Sequence, residues 1–133
     1  FAADGTAYCL QRRDGSPPTN SAFLGVSQSP YEEWTWHDLH EFLGGPNLLQ
    51  LPKGQWIAAG RIVRDGVPTT DVAILDVASK QLQPILSLPS GGDTSYPGLV
   101  YRDGVLWVSY YSSHEGKTSI YLAKVRLAPN RGD

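Results

Sequence analysis

The 133-residue sequence lacks the features that would place it in several large classes of protein. It has one cysteine, Cys9, which excludes an internal disulfide bond. No apolar run approaches the roughly 20 residues that a membrane-spanning helix needs, so we expect no membrane partner. Its net charge of -2 at pH 7 provides no basic face to neutralise phosphates, so we expect no nucleic-acid partner.

Helix signals are also scarce, whereas strand signals are frequent. With 41% hydrophobic and 18% charged residues, the composition is that of one globular domain with a core. Residues 95–127 contain three runs rich in β-branched and aromatic residues, separated by a short and a longer polar break. The short break contains Asp103-Gly104, a strong hairpin signal because both residues tolerate a positive φ. This stretch therefore predicts three consecutive antiparallel strands.

Glycines in polar turns recur about every 50 residues, which indicates an internal repeat. One series has spacings of 49 and 50 residues: Gly5, Gly54 and Gly104. A second series has spacings of 51 and 50 residues: Gly15, Gly66 and Gly116. A strand-like segment lies between the two glycines of each pair, and another follows the second glycine.

A repeat of about 50 residues with up to four short strands is typical of a β-propeller blade. We therefore predict an all-β chain of about three four-stranded antiparallel blades, half of a six-bladed ring. The blades would span about 1–43, 44–92 and 93–133. The predicted strands are 6–12, 22–27, 34–39, 47–51, 55–64, 71–77, 83–88, 98–101, 105–111 and 119–127. The first blade would lack its innermost strand and the third its outermost strand.

Three blades do not close a ring, because propellers generally need at least four. An open stack would leave apolar faces and sheet edges in water. The expected partner is therefore a second copy that completes six blades, or the missing blades of a longer chain. The start at Phe1 also allows a mature form of a longer precursor.

One end of the predicted blades collects the longer, polar connections, where function is usually found. These connections are 12–20, 40–46, 64–70, 89–97 and 112–118. The candidate functional residues on them or beside them are Arg12, Arg13, Asp14, Asn47, Arg61, Arg64, Asp65, Asp71, Asp93, Tyr96, Tyr110, Tyr111, His114, Glu115 and Lys117. Trp36, Trp56 and Trp107 lie on predicted strands, where packing between blades is the expected role.

Three segments resemble the sialidase-like, or Asp-box, six-bladed propellers, especially the bacterial ones. Ser27–Trp34, SQSPYEEW, is similar to the motif S-x-D-x-G-x-x-W, with Ser29 and Tyr31 in place of its Asp and Gly. Gly45–Arg61 is similar to the pattern of an apolar strand, a glycine turn and a strand ending in arginine. Ser95–Leu99 resembles the last blade, where a Tyr-Ser-x-Leu segment carries the nucleophilic tyrosine.

The resemblance implies an exo-acting, carbohydrate-directed glycoside hydrolase when the ring is complete. Tyr96 would then be the nucleophile, and loop position alone offers Asp93, Glu115 and Asp65 as candidates for the acid and base. Arg61 would hold a sugar carboxylate. The other predicted substrate-binding residues are Arg12, Asn47, Tyr110 and His114. The sequence departs from the family at the starts of the third strands, where it has Ser21, Thr70 or Asp71, and Ser119 instead of arginines.

Two further interpretations stay open. The incomplete arginine set favours a non-catalytic three-blade segment that homodimerises into a scaffold or sugar-binding protein. Tyr96 has an alternative role as a packed ring with a structural hydrogen bond. No cofactor is expected, and no metal, because His37 and His40 have no evident third ligand in the sequence. A secreted or periplasmic bacterial location is the expectation that accompanies the resemblance.

Overall fold

The computed structural model describes residues 1–127; residues 128–133 of the predicted third blade lie outside the described residues. The described part is all-β, as the repeat predicts, and contains no helix that could cross a membrane. Its ten strands are β1 Ala7–Gln11, β2 Phe23–Ser27, β3 Thr35–Asp38, β4 Gly44–Gln50, β5 Trp56–Arg64, β6 Val67–Asp76, β7 Gln81–Ser87, β8 Thr94–Arg102, β9 Val105–Ser112 and β10 Ser119–Arg126.

The strands form three antiparallel sheets in which each strand pairs with its neighbour in the sequence. The first sheet is β1-β2-β3, the middle sheet β4-β5-β6-β7, and the third sheet β8-β9-β10. This sequential order is the meander expected of propeller blades. Among the described residues, the first and third sheets have three strands and the middle sheet has four.

The Asp-Gly pairs produce tight hairpins. Asp103 and Gly104 adopt φ values of 52° and 78° between β8 and β9, which confirms the predicted turn. Asp65 and Gly66, at 52° and 77°, form the same kind of turn between β5 and β6. The predicted long connection 64–70 is therefore wrong, because its β-branched residues extend β6 back to the turn.

The middle sheet is buried on both faces. Ile57 of β5 packs in a cluster with Leu106 and Val108 of the third sheet. Its neighbour Trp56 points to the opposite face and packs in a cluster with Leu24 of the first sheet. This alternation follows the two-residue period of a strand. The outer faces of the first and third sheets have no sheet packed on them in the described part of the chain.

All odd-numbered strands finish at the same end of the molecule, and all even-numbered strands begin there. Pairing within each sheet is antiparallel, and the short connections 39–43 and 88–93 join the last strand of one sheet to the first strand of the next at that end. We call this the upper end, and the opposite end the lower end. The connections at the upper end are 12–22, 39–43, 65–66, 88–93 and 113–118. The upper end therefore brings together side chains from all three sheets.

Candidate functional site

Asp93 joins side chains of two sheets at the upper end. Its Oδ1 atom accepts a hydrogen bond of 2.8 Å from the Tyr111 hydroxyl and lies 3.3 Å from Nη1 of Arg61. Arg61 comes from β5, Tyr111 from β9, and Asp93 from the connection that enters β8. With the adjacent Tyr96, these residues form what we call the Asp93 cluster.

Tyr96 is the exposed aromatic group of this cluster. It is 64% exposed, and its ring stacks on that of Tyr111 with 6.1 Å between centroids and 25° between planes. The backbone of Tyr96 has a φ of 49°, an uncommon conformation for a bulky residue. It lies in an irregularity of the β8–β9 pairing between Ser95 and Gly98. Strained backbone of this kind is often found at functional sites.

The start of β4 packs closely against the start of β8 and holds Tyr96 in place. The Ser95 hydroxyl donates a hydrogen bond of 3.0 Å to the carbonyl of Gly44. The Asn47 side-chain amide donates one of 2.9 Å to the carbonyl of Pro97. A Cβ atom on Gly45 would lie only 2.7 Å from Oγ of Ser95 and 2.8 Å from Cδ1 of Tyr96. The bare backbone of Gly45 is therefore required for this arrangement.

We expect Gly45→Ala to displace Tyr96 and to destabilise the chain more than Gly54→Ala does. Both glycines have a positive φ, 54° and 88°, so both substitutions strain the backbone by about 1–2 kcal/mol. Only the first also meets side-chain atoms, since nothing lies within 4 Å of a Cβ on Gly54. Urea unfolding of both variants measures the difference. Equal losses of stability would contradict close packing at Gly45.

The Asp93 carboxylate binds one neutral group, the Tyr111 phenol, and one charged group, the Arg61 guanidinium. Burial, and then the hydrogen bond to Asp93, raise the pKa of Tyr111, so its phenol stays protonated and donates. Arg61 supplies a fixed positive charge beside the Asp93 carboxylate. The cluster thus presents an aromatic face, a guanidinium and a carboxylate side by side.

A second polar group at the upper end belongs to the first sheet. Arg13 donates through Nη2 to Oγ of Ser21 at 2.6 Å and to Oδ2 of Asp38 at 3.0 Å. A hydrogen bond from Ser21, followed by the backbone N–H of His40, lowers the pKa of Asp38. The guanidinium also lies over the Phe23 ring, 3.7 Å from its centroid. Sequence analysis did not select Asp38, although its place at the upper end of a predicted strand was a usable signal.

A third polar group at the upper end is the Arg64–Asp71 ion pair of the middle sheet. Nη1 of Arg64 is 2.6 Å from Oδ2 of Asp71, and the Thr69 hydroxyl donates to Oδ1 at 2.7 Å. The hydrogen bond to Asp71 raises the pKa of Arg64, which stays charged. The Asp71 side chain is only 1% exposed. This pair therefore fixes the β5–β6 hairpin rather than facing a ligand.

The other predicted site residues lie apart from the Asp93 cluster. Glu115 accepts a hydrogen bond of 2.8 Å from the Tyr121 hydroxyl, and the His114 ring contacts the Tyr121 ring at 4.4 Å. Tyr110 is buried and its hydroxyl donates to the carbonyl of Pro89 at 2.8 Å. Arg12 pairs with Asp14 in the first upper connection.

The structure thus brings Tyr96, Asp93 and Arg61 together, with Asn47 supporting them. It places Glu115 with His114 in a second group. Within residues 1–127, no group of three His, Cys, Asp or Glu side chains is arranged to hold a metal ion.

The segment 27–34 forms a closed turn at the lower end. The Ser27 hydroxyl donates to the carbonyl of Glu33, and Nε1 of Trp34 donates to the carbonyl of Tyr31 at 3.2 Å. Tyr31 has a φ of 66°, a conformation that glycine adopts more readily. The first and last residues of the motif-like segment therefore close the same turn.

Comparison with solved structures shows the β-propeller fold. The GH93 alpha-L-arabinofuranosidase of Fusarium graminearum, solved with arabinobiose, matches 94% of this chain with a TM-score of 0.73 and 14% identity. The Bacteroides ovatus xyloglucan PUL GH43B matches 96% with a TM-score of 0.68 and 12% identity. The xylan beta-1,4-xylosidase of Bacillus halodurans C-125 matches 93% with a TM-score of 0.56 and 19% identity. All three are propeller proteins.

The chain spans only part of these proteins: 43% of the arabinofuranosidase, 26% of the xyloglucan protein and 27% of the xylosidase. No family model matches the sequence, and no curated protein matches it. At identities of 12–19%, the likeness establishes the fold. The predicted propeller is therefore confirmed, whereas function must be argued from the site.

Proposed function

We propose that this chain is a carbohydrate-directed propeller module whose sugar site is the Asp93 cluster at the upper end. The observation that carries the proposal is the exposed Tyr96 ring stacked on Tyr111 beside the Arg61–Asp93 pair. A sugar presents apolar C–H faces and a rim of hydroxyls. An aromatic platform flanked by a guanidinium and a carboxylate complements both features.

The finer proposal is exo-acting glycoside hydrolysis of the sialidase-like kind when the ring is complete. Tyr96 would supply the nucleophilic oxygen, and Asp93, which is hydrogen-bonded to the Tyr111 ring partner of Tyr96, would be the nearby carboxylate that accepts the phenolic proton. Arg61 would hold a substrate carboxylate in addition to Asp93. Carbohydrate as the ligand class is supported by the structural neighbours, which include an arabinofuranosidase and a xylosidase.

The proposal predicts that Tyr96→Ala weakens glycan binding by about tenfold, the effect of roughly 1.4 kcal/mol. Binding of arabinobiose, xylobiose and sialyllactose would be measured by calorimetry. Tyr31→Ala is a matched control, because Tyr31 is also exposed and also has a positive φ but lies at the lower end. Equal affinity of the Tyr96 variant and the unmodified chain for every sugar bound would contradict the site.

Tyr96→Phe separates binding from hydrolysis, since it keeps the aromatic platform and removes the nucleophilic oxygen. With fluorogenic sialosides and arabinofuranosides, we expect binding to remain and turnover to disappear. Turnover that survives in this variant would contradict the role of Tyr96 as nucleophile.

The second candidate is a non-catalytic sugar-binding or scaffold protein. It is favoured because four of the carboxylates near the upper end are engaged: Asp93 with Arg61, Asp38 with Arg13, Asp71 with Arg64, and Glu115 with Tyr121. A general acid must be free to protonate the leaving group. Sugar binding without turnover by the assembled protein would select this candidate.

A further inference from the structure

The outer face of the third sheet is an exposed apolar surface. It consists of alternate residues on three strands, and we call it the third-sheet face: Val100, Trp107, Ile120 and Leu122, with Arg102, Lys124 and Arg126 at its lower end. Ile120 and Leu122 are 78% and 62% exposed, although they lie on a regular strand. Clustered apolar groups of this kind mark an interaction surface rather than ordinary solvent-facing sheet.

The groove on this face has a definite shape. A cleft of about 480 Å³ is lined by Val100, Val105 and Trp107, together with Arg102 and Asp103 of the hairpin. Nζ of Lys124 lies 4.6 Å from the centroid of the Trp107 ring and covers part of it. The face thus combines exposed apolar side chains with one cleft beside the β8–β9 hairpin, and its cations lie near the same lower end.

The outer face of the first sheet has complementary features, and we call it the first-sheet face. Phe23 and Trp36 belong to it, and Trp36 packs over Gly25, where a Cβ atom would lie 2.6 Å from the indole ring. Trp36 also stacks on Trp34 with 5.8 Å between ring centroids. Both indoles remain exposed. This face therefore presents broad aromatic surfaces that a second sheet could cover.

The charges at the lower ends of the two sheets are opposite. The third sheet has Lys124 and Arg126 there, together with an Arg102–Asp103 pair whose opposite charges offset each other, and the first sheet has Asp4, Glu32 and Glu33 in its lower turns. Contact between two third-sheet faces would bring like charges together, whereas contact between a third-sheet face and a first-sheet face would pair opposite charges.

From these observations we propose that the third-sheet face of one chain docks on the first-sheet face of a second copy. The contact joins two different surfaces, so both faces of every copy are covered only when the contacts close a ring. Two copies cover both faces and form a ring of six sheets. The upper ends stay aligned, and the 113–118 connection of one copy then lies beside the 12–22 connection of the other.

The first test is the mass of the 133-residue chain in solution by size-exclusion chromatography with light scattering. We expect about 29 kDa, twice the 14.5 kDa of one chain. A mass of 14.5 kDa at micromolar concentration would overturn the proposal and leave both faces to blades of a longer polypeptide.

The second test exchanges charges between the two faces. The double variants Glu32→Lys/Glu33→Lys and Lys124→Glu/Arg126→Glu each place like charges across both contacts, so each alone should be monomeric. An equimolar mixture should return to the dimer mass, because one contact of the mixed ring is native and the other has both charges reversed. Circular dichroism of each variant checks that it is folded.

Lys53→Glu is the matched control, because Lys53 is an exposed cation at the lower end that lies in the β4–β5 turn of the middle sheet, outside both faces. It should leave the dimer unchanged. Failure of the mixture to reassemble from folded variants would exclude the head-to-tail contact, as would a dimer that persists in either double variant alone.

Discussion

Leu106→Ala is expected to lower the free energy of unfolding by about 3 kcal/mol. Leu106 is fully buried in β9 and packs in the cluster between the middle and third sheets with Ile57 and Val72. Truncation removes buried methyl groups and leaves a cavity that two packed sheets can close only in part. Urea unfolding followed by tryptophan fluorescence measures the loss.

Leu122→Ala is the matched control, because it makes the same chemical change in the same sheet. Leu122 is mostly exposed in a single chain, so we expect a loss below about 1 kcal/mol. Both leucine variants would be compared in the monomeric Glu32→Lys/Glu33→Lys background, so that dissociation does not contribute to the unfolding curve. Equal losses would mean that the core does not lie between these sheets.

The fold was predictable because the repeat contains glycines at turn positions that require an unusual backbone conformation. Gly54, Gly66, Gly104 and Gly116 all adopt a positive φ, which side-chain-bearing residues reach at a cost. These glycines lie between strands at a regular spacing in the sequence, so the spacing reveals the length of the repeating unit. All ten strands lie where ten strands are predicted.

The beginnings of β4, β6 and β8 were predicted three or four residues late. Each includes glycine or proline, as in Gly44–Pro46 and in Pro97, and these residues normally indicate a loop. In the structure, β4 and β8 accommodate these residues through shifts in pairing register, between Gly44 and Asn47 and between Ser95 and Gly98, and the pairing continues on both sides of each shift. A bulge of this kind depends on the partner strand, so local sequence does not predict it.

The sequence predicted where the candidate site lies, but it did not predict which side chains form hydrogen bonds with one another there. Antiparallel order alone predicts that Arg61 and Asp93 share the upper end. It does not predict that Tyr111 completes their hydrogen bonds, or that Arg13 reaches Asp38, which is 25 residues away. Those partnerships depend on side-chain reach across neighbouring strands, and several arginines and aspartates compete for the same positions.

Arg64→Ala should cost about 3 kcal/mol of unfolding free energy, because it leaves a buried carboxylate without its cation. Asp71 would retain the Thr69 hydroxyl as its hydrogen-bond donor. Urea unfolding measures the loss.

Arg61→Ala removes the same side chain from the same strand, but its partner Asp93 is 64% exposed and can be hydrated. We expect a loss below about 1 kcal/mol. The difference between the two variants isolates the burial of the carboxylate, since chain position and side-chain volume are matched. If Arg61→Ala were as costly as Arg64→Ala, strand packing by the arginine stems would explain both losses. The Arg64–Asp71 pair would then have no special part in holding the upper end of the middle sheet.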